Sequence, residues 1–213
     1  SATITPQIYP EGKLRCTAPG FEPGGGGINV ARAIAHLGGH ATAIFPAGGA
    51  TGEHLTALLH DEQVTAITVQ TKDWTRQNLH VHVEAGGEQY RFVMPGATLS
   101  ADEFRQLEEK VLACESGSIL VISGSLPPGV EVAKLTQLIK AAQSKGLRVI
   151  VDSSGEALAA ALDVGGLEMV KPNQKELSGL VKRELAEPDA VREAAQELVN
   201  SGKVRRVVVS LGP

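Results

Sequence analysis

Aromatic residues make up only 3% of the 213 positions, with a single Trp. Any core must therefore rest on Ala, Val, Leu and Ile. Cysteine is nearly absent: Cys16 and Cys114 lie far apart in sequence. Two such residues exclude a disulfide framework and point to a reducing compartment, the cytoplasm. No apolar run reaches the length of a membrane-spanning helix, and no signal peptide opens the chain. Positive charge is not in excess. The net charge of −4 argues against a general binder of nucleic acid or anionic membrane, although a local basic patch stays open. There is no internal repeat and no low-complexity linker. The chain begins with Ser1 instead of Met, so an upstream piece is expected. What is present is ordinary for a globular chain, at 42% apolar and 21% charged residues. The length suits one domain with a small appendage and allows a sizeable core.

From about residue 100 onward, strand and helix signals alternate. Residues 118–123 (SILVIS), 147–152 (LRVIVD), 168–171 and 205–210 (RRVVVS) read as buried strands. Helices are predicted over 131–145, 156–162, 173–181 and 188–201, the last with Pro188 in its first turn and Gly202 beyond its end. Continuous apolar strands separated by helices imply right-handed crossovers and a parallel sheet covered on both faces. Nearer the start, helices are predicted over 28–37 and 52–62, with a strand over 41–45. Residues 78–84 (NLHVHVE) alternate apolar and polar, turn at Gly86-Gly87 and return over 89–93, a hairpin with one polar face. Residues 13–18 are expected as a further strand beside it. The organisation read from this is an α/β core of 21–71 and 96–213 carrying a small β lid of 1–20 and 72–95. Ser100 and Glu103 read as a capping box that starts a helix.

Five segments combine Gly, Ser, Asn and Pro where strands meet helices. Pro23 to Ala31 runs four glycines into an apolar helix, bringing backbone N–H groups close to a ligand at a helix start. Asn29 can bond a sugar hydroxyl there. A dinucleotide fingerprint fits badly, since Asn29 holds the third glycine position and Glu22-Pro23 stands where an apolar strand should be. A flexible loop is the plainer alternative. Lys171-Pro172-Asn173-Gln174-Lys175-Glu176 follows a strand. Its Asn and Glu can hold the water shell of Mg²⁺ or simply cap the next helix. Ser123 to Gly129 offers Ser125 to a substrate, or is only a turn set by Gly and Pro. Asp152 and Ser153 end another strand and equally suit a helix cap. Val209 to Pro213 ends the last strand with a backbone turn able to meet a nucleotide. Five such loops on the carboxyl edge of a parallel sheet favour a nucleotide and polyol site, because ligands collect there in open α/β folds. His80 and His82 share a strand face, but nothing at ligand spacing completes a metal site with them. Trp74 reads either as a packing residue at the lid or as plain core.

The stretches GGGGINVARAIAHLGG, TRQN, SGSLPPGV, VDSSGEAL, KPNQKEL and VVVSLGP resemble the ribokinase-like carbohydrate kinases, in their phosphofructokinase B branch. The wording is nearest that of the minor bacterial 6-phosphofructokinases, and the similarity runs from Ala2 to Pro213 in family order. The resemblance implies a ribokinase-like, mostly parallel sheet with helices on both faces, and a β lid through which two copies dimerise. It also implies Mg-ATP as donor. The implied reaction is phosphorylation of fructose 6-phosphate to fructose 1,6-bisphosphate, with tagatose 6-phosphate or fructose 1-phosphate as alternative acceptors. It implies that Gly25, Gly26, Gly27, Asn29, Arg76, Asn78, Ser125 and Lys13 face the sugar phosphate. Arg76 is favoured over Lys13 as its phosphate partner, because a guanidinium binds phosphate in a bidentate way. Lys171, Asn173, Lys175, Ser210 and Gly212 fall on the family's nucleotide side, and Glu176 with Asn173 on Mg²⁺ through water.

The family pattern departs at both ends. An Asp ending the family's first strand is expected upstream of Ser1. The Gly-Ala-Gly-Asp segment, with its anion hole and catalytic base, is expected beyond Pro213. A positioned base contributes about 10²–10⁴ in rate, so the 213-residue chain alone is expected to be nearly inactive. A non-catalytic sugar-phosphate or nucleotide sensor is the reading of another class. A dehydrogenase is disfavoured because the strand over 41–45 ends in Phe45-Pro46 instead of the acidic residue a dinucleotide needs.

Overall fold

The computed structural model describes residues 1–212. Pro213, the end of the fifth motif, lies outside the described residues. In chain order the elements are β1 (Ala2–Thr5), α1 (Gly26–His36), β2 (Thr42–Ala47), α2 (Gly49–Asp61), β3 (Thr65–Gln70), β4 (Leu79–Val83) and β5 (Gln89–Phe92). Then come α3 (Ala101–Leu112), β6 (Ile119–Ser123), α4 (Val132–Ser144), β7 (Arg148–Asp152), α5 (Gly155–Val164), β8 (Met169–Val170), α6 (Gln174–Val181) and α7 (Pro188–Asn200). Among the described residues, no helix is long and apolar enough to cross a membrane.

The α/β expectation holds, and the side-chain alternation of the strands explains it. In β2, Ala43, Phe45 and Ala47 pack with Ile28, Ala31 and Leu59 of α1 and α2. Ile44 points the other way, onto the cluster of Phe104 and Val111 from α3 with Leu138 from α4. Both faces are thus covered by helices, as period-2 side chains require. The parallel β6-β7-β8 sheet buries Val149 and Val151 against Leu135, Ile139, Leu158 and Leu162 of α4 and α5. Among the described residues, only Phe45 and Phe104 bring buried aromatic rings to the core.

The sequence reading needs four corrections. First, 65–70 was not expected as a strand, yet it forms β3, parallel to β2 over six residue pairs. Thr65, Ile67, Thr68 and Gln70 are exposed, on both faces of the strand, so it lacks the apolar run of a doubly buried strand. Second, 205–210 is not a continuous strand. It follows β8 in one register, through single parallel bridges Leu167–Val204, Val170–Val207 and Asn173–Ser210. Between the second and third bridges, Pro172 has no N–H to give. Third, the strand beside the hairpin is β1, which pairs with β4 in parallel, and not 13–18. That segment only runs alongside β1, with the Thr17 N–H on the Ile4 carbonyl. Fourth, of the two readings of Trp74, plain core packing is excluded: it is 64% exposed.

Three loop segments, 6–25, 71–78 and 93–100, join the β1-β4-β5 sheet to the rest of the chain, and the last two are stitched down at the start of α3 and to each other. Lys72 N–H donates to Glu103 Oε1 (2.8 Å) and Thr98 N–H to Asp73 Oδ2 (3.2 Å). Glu103 also completes the expected capping box with Ser100. These N–H donors, Ser100 first and then Lys72, hold the Glu103 carboxyl below its ordinary pKa.

Candidate functional site

The glycine run starts α1 two residues earlier than its apolar pattern suggests. Gly25 is the cap, at φ 128°, a conformation that side chains other than hydrogen resist. Gly26 lies on the carboxyl end of β6. A Cβ there would stand 2.2 Å from Ser123 Oγ and 3.2 Å from Gly124 N. The close approach, and not flexibility, therefore demands that glycine. Arg32 holds the run from behind: its Nη1 donates to the Pro23 carbonyl (2.8 Å), while Nε and Nη2 grip both oxygens of Glu62. These hydrogen bonds keep the Glu62 carboxyl below its ordinary pKa against the opposing effect of burial.

From Ser123 a polar chain crosses the sheet edge. Ser123 Oγ donates to Asp152 Oδ2 (3.3 Å), and Asp152 Oδ1 pairs with Lys171 Nζ at 3.2 Å. Ser153 Oγ donates to the Gly124 carbonyl (2.9 Å). Asp152 and Ser153 are therefore not the helix cap that their position suggested. Ser154 occupies the cap of α5, without a side-chain bond. The carboxyl ends of β6, β7 and β8 and the start of α1 are joined through Asp152. That carboxylate is the site residue the sequence motifs undervalued. Its signal was position: an Asp at the end of a strand, between two loops already singled out.

Beyond Lys171, Asn173 caps α6. Its Oδ1 accepts from Glu176 N–H (2.8 Å), and Glu176 Oε2 accepts from Asn173 N–H (2.9 Å). This is a full capping box. The Ser210 carbonyl accepts from Gln174 N–H, and Ser210 N–H donates to the Pro172 carbonyl. A groove of about 530 Å³ opens here, lined in part by Asn173, Lys175, Leu185, Ser210 and Gly212.

Arg76 and Asn78 meet at one point. Arg76 Nη1 donates to the Met94 carbonyl (3.4 Å), and Asn78 Oδ1 accepts from Met94 N–H (3.0 Å). A Cβ on neighbouring Gly96 would lie 4.0 Å from Arg76 Nη1 and 3.6 Å from Pro128 Cδ. The arginine thus sits beside the loop that carries exposed Ser125. What seats it was missed in the sequence. Thr75 N–H donates to the Gly48 carbonyl, and Thr51 Oγ1 donates to the Thr75 carbonyl. The Trp74 indole covers Gly49 so closely that a Cβ there would meet ring carbons at 2.4 Å. The cluster Gly48-Gly49-Ala50-Thr51-Gly52 was the available signal. Three expected site residues stay apart from these contacts. Lys13 lies in the exposed segment after β1 and makes no ion pair among the described residues. Gly27 has no atom within 4 Å of where its Cβ would be, and Asn29 is exposed. Among the described residues, no three His, Cys, Asp or Glu side chains cluster as metal ligands.

A family model for pfkB family carbohydrate kinases matches residues 2–213. The ATP-dependent 6-phosphofructokinase isozyme 2 of Escherichia coli (strain K12) is 80% identical over 213 residues, which cover 100% of this chain and 69% of that protein. The Mycobacterium tuberculosis protein of the same description is 41% identical over 207 residues, covering 96% of this chain and 60% of its own length. The crystal structure of phosphofructokinase-2 from Escherichia coli in complex with fructose-6-phosphate superposes with a TM-score of 0.97 at 80% identity. It covers 100% of this chain and 70% of the solved one.

Proposed function

The chain belongs to the pfkB family of carbohydrate kinases, and from that premise we propose that it serves ATP-dependent phosphorylation of fructose 6-phosphate at its 1-hydroxyl. The observation that carries this reading is the polar chain Gly26–Ser123–Asp152–Lys171. It links the glycine turn, suited to a sugar phosphate, to the Lys171–Asn173–Ser210 corner, suited to a nucleotide. A phosphoryl group passing between the two ligands needs them on one edge, in line.

In this proposal Gly25, Gly26, Gly27 and Asn29 cradle the sugar, and Ser125 lies beside it. Arg76, Asn78 and Lys13 bring polar and cationic groups to its phosphate. Lys171 and Lys175 offset the charge of the nucleotide phosphates, while Asn173, Ser210 and Gly212 shape their seat. Glu176 and Asn173 hold Mg²⁺ through water. The donor set suits that ion. Glu176 spends one oxygen on the capping box, and its other oxygen has no hydrogen bond among the described residues. Mg²⁺ favours one or two carboxylates with water and phosphate. When bound, the ion would neutralise charge on the transferring group.

We also propose that 1–20 and 72–95 act as a lid and as the surface joining two copies. Tyr9, Tyr90, Phe92, Val93 and Met94 are between 44% and 65% exposed. An apolar patch of that kind marks an interaction surface.

The test is a coupled ADP assay on the complete gene product with fructose 6-phosphate, tagatose 6-phosphate and fructose 1-phosphate. Fructose 6-phosphate is expected to give the highest kcat/KM. A tenfold or greater preference for either of the others would overturn the choice of acceptor.

A further inference from the structure

The groove beside α6 has three walls: the first turn of that helix, the loop 184–186 and the run 210–212. One residue ties all three. Gln174 N–H donates to the Ser210 carbonyl at 3.2 Å. Its side-chain amide, Nε2, donates to the Leu185 carbonyl at 2.5 Å. No other hydrogen bond reaches that carbonyl among the described residues. The loop is otherwise anchored from below and behind. Leu185 is 3% exposed and packs with Leu177, Val191 and Ala194. Ser178 Oγ donates to the Arg183 carbonyl at 2.6 Å. Arg183 N–H also donates to the Ser178 carbonyl at 3.3 Å, so these contacts reach α6 at Leu177 and Ser178, and none of them bonds the loop to the start of the helix at Asn173 and Gln174. The amide of Gln174 does.

We propose that Gln174 is a positioning residue for the nucleotide: it sets the width of the groove by holding the 184–186 wall against the turn that carries Asn173 and Glu176. The inference rests on reading this groove as the nucleotide side, and the ligand is the phosphate chain of a magnesium-bound nucleoside triphosphate. Gln174 acts through the wall and the turn. Its loss is therefore felt by the nucleotide and not by the sugar phosphate, which belongs to the Gly26–Ser123 end of the edge.

The experiment is calorimetric titration of the complete protein with Mg-ATP and, separately, with fructose 6-phosphate. Gln174→Ala should weaken Mg-ATP about tenfold, the scale of one lost positioning hydrogen bond. Fructose 6-phosphate affinity should stay within about twofold by the same standard. Gln174→Glu supplies a second readout. Its carboxylate cannot donate to the Leu185 carbonyl at pH 8, but its protonated form can. Mg-ATP affinity relative to wild type should recover on acidification in Gln174→Glu and not in Gln174→Ala. Should Gln174→Ala fail to fold, that pH dependence alone decides. Equal Mg-ATP affinity in wild type and Gln174→Ala overturns the inference and leaves the proposed function standing. Equal losses for both ligands overturn it too, as general loosening. A wild type that binds no Mg-ATP overturns the reading of the groove itself, and this inference with it.

Discussion

Gly26→Ala tests how tightly the glycine turn is built into the sheet edge. The added Cβ would meet Ser123 Oγ at 2.2 Å, Ser123 Cβ at 3.1 Å and Gly124 N at 3.2 Å. The hydroxyl can rotate away, but it then gives up its bond to Asp152, a loss of about 0.5–1.5 kcal/mol. The remaining two contacts, one to the Ser123 side chain and one to the Gly124 backbone, are tighter than ordinary packing, so overpacking adds about 1–3 kcal/mol. Better helix propensity returns about 0.5–1 kcal/mol. The net cost is about 0.5–4 kcal/mol, or a fall in Tm of about 1–16 °C for a chain of this size. Gly27→Ala is the internal control. No atom lies within 4 Å of its Cβ position, so it should be neutral or slightly stabilising. Adding Ser123→Gly to Gly26→Ala removes both Ser123 atoms, and the double mutant should show a favourable coupling term. Urea denaturation and thermal melts of four variants measure this: Gly26→Ala, Gly27→Ala, Ser123→Gly and the double mutant. Equal stabilities for Gly26→Ala and Gly27→Ala, or a double mutant whose losses simply add, would refute the steric account.

Glu176→Gln separates the cap from the metal: an amide oxygen still accepts from Asn173 N–H, so stability should change by less than about 1 kcal/mol. Mg-ATP affinity should fall about tenfold or more, and an unchanged magnesium dependence would leave Asn173 and Glu176 as a cap only. Arg32→Met should cost about 1–3 kcal/mol in urea denaturation, because it strands Glu62 and frees Pro23. Since Glu62 has a folded pKa below its ordinary 4.5, the stabilisation is present above that pH and lost as pH falls through the lowered value. The gap between wild type and variant should therefore narrow on acidification below pH 4.5, and a constant gap would contradict the assigned pairing. Val93, 65% exposed, sits on the surface proposed to join two copies. Val93→Asp should shift the mass measured by light scattering from dimer to monomer, and an unshifted dimer would move the interface elsewhere.

The helices and the strands of the second half were legible because each carries one unambiguous period. The apolar positions of 131–145 recur at helical spacing, and 147–152 has the continuous apolar character of a strand buried on two faces. β3 was missed for the complementary reason. Thr65-Ala66-Ile67-Thr68-Val69-Gln70 mixes small, polar and apolar residues, and only Val69 is fully buried. Its strand state comes from pairing with β2 and not from its own pattern. The run 205–210 failed the other way. Its composition is that of a strand, but Arg205 and Arg206 are both drawn to the buried Glu168, and Pro172 withholds a donor from the partner side. Burial raises the Glu168 pKa, and the Arg206 bond with the Arg205 and Arg148 charges more than offsets that, leaving it below the ordinary value.

The site was legible as a set of loops, but not as a set of contacts. Distance along the chain hides the pairing of Gly26 with Ser123, because nothing in either motif names the other. The seat of Arg76 is hidden in the same way, since Gly48 and Gly49 read as a turn until Trp74 is laid over them. Asn173 and Glu176 pose a different problem. Sequence offered a cap or a metal site as alternatives, yet the geometry does not make them compete. The box engages Asn173 Oδ1 and Glu176 Oε2, and each side chain keeps a second polar atom for other partners. A cap also fixes the rotamers of both residues before any ligand arrives, which lowers the ordering cost of binding. The residues proposed here to hold hydrated magnesium are already immobilised for a structural reason. That is why a motif that is ordinary in its helix chemistry is compatible with the phosphoryl-transfer role proposed for it.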